Sequence, residues 1–236
     1  MDTVDIEFED IINYYKSEEV QSILDQFLNQ VEHFFRTNPQ LKQQKLIHSI
    51  KSRHKDPEHL RDKLLRKKRK GQLVSKETLF TEITDLNGVR LLHLYQQQFP
   101  LIHKEIMRKI EEFEDWKLVE NPKAYTWEPE SKNFFTELGI KTEVKETFYT
   151  SVHYVIKPNN EKSSITCEIQ VRTLFEEIWG EIDHTINYPH QTDSVACKEQ
   201  IRVLAKLVST GTRLADSIFR TYDDHARQSS EIERTK

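Results

Sequence analysis

The stretch Ile165–Thr173, ITCEIQVRT, decides how this chain is read. Its residues alternate in polarity, and successive side chains of a β-strand point to opposite faces. As a strand it sends Ile165, Ile169 and Val171, with Cys167 between them, to one side. Glu168, Gln170 and Arg172 go to the other. A carboxylate, an amide and a guanidinium then stand in one row. On a solvated face such a row is ordinary; within a cleft it is chemistry.

The neighbouring segments set the fold class. Phe80–Tyr95 (FTEITDLNGVRLLHLY) and Val144–Pro158 (VKETFYTSVHYVIKP) are rich in β-branched and aromatic residues and read as strands, with a short strand at Trp116–Val119. Helical spacing of apolar residues marks Ser17–Arg36, Pro57–Gly71, Pro100–Phe113, Leu174–Tyr188 and Lys198–Ala226. Ser17 reads as an N-cap with Glu18 and Glu19 in the first turn, and Asp56 as a cap with Pro57 at the first helical position. The last ten residues, RQSSEIERTK, read as frayed. Several strands are joined by loops too short for a crossover. The pattern therefore predicts an α/β (α+β) fold with a mixed five-stranded sheet flanked by helices. It divides into an N-terminal helical extension (1–50), a central domain (51–190) and a C-terminal helical extension (191–236).

The 236 residues are 31% charged and 36% hydrophobic, with 5 Gly. No run approaches the ~20 apolar residues of a membrane span, and the acidic start MDTVDIEFED lacks the order of a secretory signal. The expectation is a cytoplasmic protein with no membrane partner. Cys167 and Cys197 cannot build a disulfide framework, and no Cys/His spacing suits zinc. The net charge of −4 hides an asymmetry: Lys51–Lys70 holds ten Lys or Arg against three Asp or Glu. Part of that run suits a helix C-terminus. The whole of it suits a polyanion such as a nucleotide or nucleic acid.

Asp85 lies in TDLNGVR, just before an apolar run, with Gly88 allowing close backbone approach. Alone, such a sequence is a turn, and a strand Glu such as Glu168 is solvated. Together the two carboxylates can converge on Mg²⁺, a hard cation that completes its shell with water and phosphate. Basic residues between Arg53 and Lys70 would neutralise the same phosphates. Tyr149, Ser151 and His153 share one strand face. Trp179 and His184, in IWGEIDH, read as helix residues with structural roles.

The ordered set RHKDPEHLRDK, DLNGVR, FYTSVH, EIQVRT and IWGEIDH, spanning Ser52–Tyr188, resembles the synthetase domain of RelA/SpoT-type alarmone synthetases. The resemblance implies a polymerase-β-like nucleotidyltransferase fold. It also implies transfer of pyrophosphate from ATP to the 3′-hydroxyl of GDP or GTP. On that pattern Arg53, Lys55 and Lys63 bind ATP, with His59 standing where the family has Ser, and Arg90 is a basic residue of the second motif. Asp85 and Glu168 are the implied catalytic and Mg²⁺-binding carboxylates. Tyr149 is implied to stack on the acceptor base and His153 to contact phosphate. Gln170 and Arg172 are candidates to hold Glu168 or bind phosphate, and Lys141 and Lys145 to face acceptor phosphates. Phe148 stands where the family has Gly.

The expectation is a small stand-alone synthetase. The first fifty residues hold only His33 and His48 and no His-Asp pair, so it would synthesise without degrading. A second reading is the toxin branch, which pyrophosphorylates the tRNA 3′ end or makes adenosine analogues, with Arg66, Lys67, Lys68, Arg69 and Lys70 binding tRNA. A third is an inactive nucleotide- or RNA-binding module. The C-terminal helix is a candidate for homo-oligomer contacts.

Overall fold

The computed structural model describes residues 3–188 and 191–234. The chain begins with helices α1 (Thr3–Lys16), α2 (Glu18–Thr37) and α3 (Pro39–Gln43), followed by strand β1 (Ser49–His54) and helix α4 (Pro57–Arg69). Next come α5 (Leu79–Glu82), β2 (Asn87–His93), a 3₁₀ turn at Gln96–Gln98, α6 (Phe99–Glu111), β3 (Trp116–Leu118) and β4 (Lys123–Thr126). The remaining elements are α7 (Pro129–Glu137), β5 (Lys141–Val144), β6 (Ser151–Pro158), β7 (Cys167–Thr173), α8 (Leu174–Asn187) and α9 (Val195–Arg234).

Local chemistry sets the helix starts. The Ser17 hydroxyl accepts from the Val20 N–H, and the Asp56 carboxylate accepts from the N–H groups of Glu58 (2.9 Å) and His59 (3.2 Å). Thr173 and Glu176 form a reciprocal capping box that turns β7 directly into α8. α9 runs on to Arg234, so most of the tail that reads as frayed is helical.

The sheet is mixed, as expected, but has seven strands rather than five, in the order β1-β2-β7-β6-β4-β5 with β3 also paired to β6. β2 and β7 are parallel, as are β4 and β5; the other pairs are antiparallel. The unforeseen strands β1, β4 and β5 are short, and β1 (SIKSRH) and β5 (KTEV) are polar outer strands with no buried residue. The segment Phe80–Leu86, read as strand, is instead the short helix α5 and a turn, and only Asn87–His93 pairs in the sheet.

One sheet face is apolar: Val89 and Leu91 of β2, Ile169 and Val171 of β7, and Val152, Tyr154 and Ile156 of β6. They share a core with Leu24, Phe27 and Val31 of α2, Leu60 and Leu64 of α4, and Ile102 and Ile106 of α6. The other face carries α8, which packs on β7 and β2, and α9 packs on α8 in turn. A cleft lies between that second face and α8. No helix among the described residues is long and apolar enough to cross a membrane.

Candidate active site

Strand register lays the polar residues out in rows. Lys51 pairs with Arg90, Arg90 with Gln170, and Gln170 with His153, across β1, β2, β7 and β6. In the next row Arg53 pairs with Gly88, and Gly88 with Glu168. The row inferred from ITCEIQVRT does face a cleft: Glu168, Gln170 and Arg172 line a cavity of about 660 Å³. Arg53, Asp85, Arg90 and Tyr149 line it too, and α8 covers it with Gly180, Glu181 and His184, followed by Tyr188 just past the helix end. The volume falls within the range of small-molecule sites. A Cβ on Gly88 would meet Arg53 only at ordinary contact distance, so packing does not force this glycine; it leaves the floor open between Arg53 and Glu168.

At one end the chemistry is ionic. Asp85 accepts from Lys55 Nζ and Lys63 Nζ, each at 2.8 Å, through different oxygens. Burial pushes the Asp85 carboxyl up, but the Lys63 and Lys55 ammoniums outweigh it and hold it down at about 2. Lys55 is buried, and its backbone carbonyl accepts from Tyr15 Oη at 2.6 Å, which ties α1 to this end. α2 is tied to it by His54, whose ring nitrogens meet Asn87 (2.9 Å) and Asp25 (2.8 Å). Arg53 has no carboxylate partner among the described residues.

At the other end a chain of hydrogen bonds runs from a phenol through an imidazole to a carboxylate. Tyr149 Oη lies 2.9 Å from His153 Nε2, His153 Nδ1 lies 3.1 Å from Glu168 Oε1, and Gln170 Nε2 donates to Glu168 Oε2 at 2.6 Å. Burial disfavours the charged form of Glu168, yet the His153 and Gln170 hydrogen bonds hold its carboxyl below the usual value. Burial raises the Tyr149 phenol. The Arg172 guanidinium lies over the Tyr149 ring at 5.9 Å. Tyr125 meets the His153 ring edge-on at 4.8 Å.

The remaining expected residues divide. His59 is beside the mouth of the cleft, edge-on to Tyr188 at 4.5 Å, while Tyr188 stacks on His184 at 4.7 Å. Burial lowers the His59 imidazole. Trp179 donates to the Ile201 carbonyl at 3.1 Å and so joins α8 to α9, and both Trp179 and His184 line the cleft. Lys141 and Lys145 do not line it: they sit on and just after the edge strand β5, where Lys145 pairs with Glu143 at 2.7 Å and covers the Tyr125 ring at 4.4 Å. Arg66–Lys70 close α4 and also lie outside the lining; Lys67 pairs with Glu82 at 2.8 Å and Lys68 covers Phe8. Lys51, Glu177 and Glu181 are among the lining or supporting residues that escaped the sequence reading. Had SIKSRH been read as a strand, its period of two would have put Lys51 beside Arg53.

A sequence profile described as the region found in RelA / SpoT proteins matches residues 52–193. The chain belongs to the RelA/SpoT family. A search of curated proteins finds no significant match. Among solved structures, the chain is similar to the small alarmone synthetase 1 from Bacillus subtilis, with a TM-score of 0.67 and 19% identity over 89% of this chain and 99% of that one. The same Bacillus subtilis protein bound to its product pppGpp gives a TM-score of 0.61 at 19% identity, covering 89% and 97% of the two chains. Bound to AMPCPP it gives 0.61 at 18% identity, covering 85% and 94%. At these identities the likeness is one of fold. It extends over nearly the whole of the relative, so the helices on either side of the profile match belong to the shared architecture.

Proposed function

We propose that this RelA/SpoT-family chain is a GTP pyrophosphokinase that makes (p)ppGpp from ATP and GDP or GTP. The observation that carries the reading is one cleft lined at one end by Asp85, which Lys55 and Lys63 back, and at the other by Tyr149 and Glu168, which His153 bridges. The binding of pppGpp and of AMPCPP by the Bacillus subtilis structural relative supports it.

In this reading Arg53, Lys55, Lys63 and Arg90 hold ATP. The acceptor base stacks on Tyr149, and Glu168 accepts the proton of the 3′-hydroxyl. The 3′-oxygen bonds to the β-phosphorus, the bond between that phosphorus and the α,β-bridging oxygen breaks, and AMP leaves with the electron pair. His153 fixes the Glu168 carboxylate in its attacking-side orientation, and Gln170 occupies its second oxygen. Asp85 and Glu168 fit Mg²⁺, which takes one or two carboxylates and completes its shell from phosphate and water. The metal would supply charge neutralisation at the β- and γ-phosphates. We assign the catalytic unit to residues 51–190, with helical extensions on either side, and a cytoplasmic address where these nucleotides are present.

The test is incubation of the purified chain with Mg²⁺ and ATP labelled at the β- and γ-phosphates, separately with GDP, GTP, AMP and bulk tRNA. Label on the guanosine nucleotides is the expected result. Label on tRNA alone would replace this reading with that of the toxin branch, and no transfer at all with that of an inactive module.

A further inference from the structure

Behind the cavity wall lies a carboxylate that the reaction as described does not use. Glu177, on the first turns of α8, has a side chain only 6% exposed, yet three cations converge on it. Lys51 Nζ donates to its Oε1 at 2.7 Å and Arg90 Nη1 to the same oxygen at 2.8 Å, while Arg172 pairs with Oε2. The three come from three different strands, β1, β2 and β7. All three line the cavity, whereas Glu177 itself does not.

The surroundings are shaped to this contact. Gly180, one turn later on α8, is where Arg172 passes: a Cβ there would lie 2.7 Å from Arg172 Nη1. Arg90 continues outward to Glu181 at 2.8 Å and sideways to Gln170 Oε1 at 3.3 Å, and Gln170 holds Glu168. Glu177 is thus joined by hydrogen bonds, through Arg90 and Gln170, to the Glu168–His153–Tyr149 chain. Burial opposes its ionisation, but Lys51, Arg172 and Arg90 hold its carboxyl well below the usual range, so it stays charged at any working pH.

We propose that Glu177 is a positioning residue, which from behind the cavity holds Lys51, Arg90 and Arg172 as one wall facing the substrate polyphosphate and, through Arg90 and Gln170, keeps Glu168 aimed. A guanidinium has five N–H donors and an ammonium three, so each cation anchored on Glu177 keeps donors for a phosphate. The anchoring removes their freedom before the substrate arrives, which is the part of catalysis that appears in turnover rather than in affinity. This inference rests on the pyrophosphotransferase reading.

The experiment measures steady-state turnover of ATP with GDP and Mg²⁺ for the wild type, Glu177→Gln and Glu177→Asp, normalised to folded protein by circular dichroism. Wild-type turnover tests the function itself. Given that activity, Glu177→Gln is expected to lower kcat at least five-fold while both KM values change less than three-fold, with Glu177→Asp in between. A kcat within five-fold of wild type per folded molecule, or a loss carried by KM alone, overturns the proposal. Should Glu177→Gln not fold, Lys51→Met takes its place, since the Lys51 side chain is 55% exposed. It is expected to lower kcat three-fold or more, and an unchanged kcat overturns the proposal equally.

Discussion

The two ends of the cleft are built from different physics. Around Asp85 the groups are formal charges: one carboxylate, two ammoniums and the Arg53 guanidinium, which has no carboxylate partner among the described residues, backed by α1, α2 and α4. Around Tyr149 they are aromatic rings and hydrogen bonds, and the backing is Trp127, Phe148 and the α9 residues Ile201, Ala205 and Val208. The first end suits phosphates, whose charge needs opposite charge at close range. The second suits a base, which needs a flat apolar surface and a few polar contacts. The difference teaches which substitutions should act on chemistry and which on recognition.

The largest effect is expected at the ionic end. Asp85→Asn should cut turnover by about 10³-fold, the scale of losing a preorganised charge in a site. It should also destabilise the fold by about 3 kcal/mol, because Lys55 is buried and loses its partner. The Asp85 carboxyl is held down at about 2, below its unfolded value. Its stabilisation is therefore complete above about pH 4 and disappears as pH falls through 2, a difference of about 2 kcal/mol. Urea midpoints of wild type and variant between pH 2 and 5 should converge; parallel curves would show that the ion pairs do not hold this end.

Next in size is Tyr149→Ala. Loss of a stacking ring is worth about 1–3 kcal/mol per base, so the KM of GDP should rise about ten- to a hundred-fold with that of ATP nearly constant. Equal shifts in both would erase the distinction between the two ends.

How much of this was legible in sequence follows the same division. Lys63 was placed by the capped helix that Asp56 and Pro57 begin and Glu168 by the period of EIQVRT, whereas Asp85 lies in a turn that reads as strand. Lys51 and Glu177 were not legible, because a polar six-residue edge strand carries no apolar alternation and a helical Glu reads as solvated. Lys141 and Lys145 lie outside the cleft lining because β5 is added outside β4, one strand further from the cleft than chain order suggests. The extra strands turn a five-stranded expectation into a seven-stranded sheet without moving the central rows.

A smaller effect is expected behind the aromatic end, at Glu176. Glu176 is half-buried near Glu128, and desolvation pushes its carboxyl up to about 7. The folded chain then keeps a proton that the unfolded chain gives up from about pH 4.5, so stability falls as pH rises from there to 7. Glu176→Gln, which preserves the cap acceptor, should match wild type at pH 4 and exceed it by about 2 kcal/mol at pH 8. A variant no more stable than wild type at pH 8 would mean that the carboxylate finds compensation there and that the contrast in electrostatics is weaker.

The smallest effect is expected at Phe148. Phe148 takes a backbone φ of +62°, the left-handed region that suits glycine and disfavours a phenylalanine by about 1–2 kcal/mol. Its ring is nevertheless gripped, edge-on to Trp127 at 5.0 Å and under Arg202 of α9 at 5.5 Å. Those contacts are worth a similar amount, about 1–2 kcal/mol together. Phe148→Gly relieves the first and forfeits the second, so the unfolding free energy should stay within about 1 kcal/mol of wild type. The neighbouring Tyr149 loses its fixed approach, however, and the KM of GDP should rise about three-fold while kcat and the KM of ATP hold, as expected for about 0.6 kcal/mol of lost preorganisation. If glycine instead leaves the GDP KM unchanged, the turn backbone alone sets the Tyr149 ring, and the grip of α9 on Phe148 belongs to stability rather than to recognition.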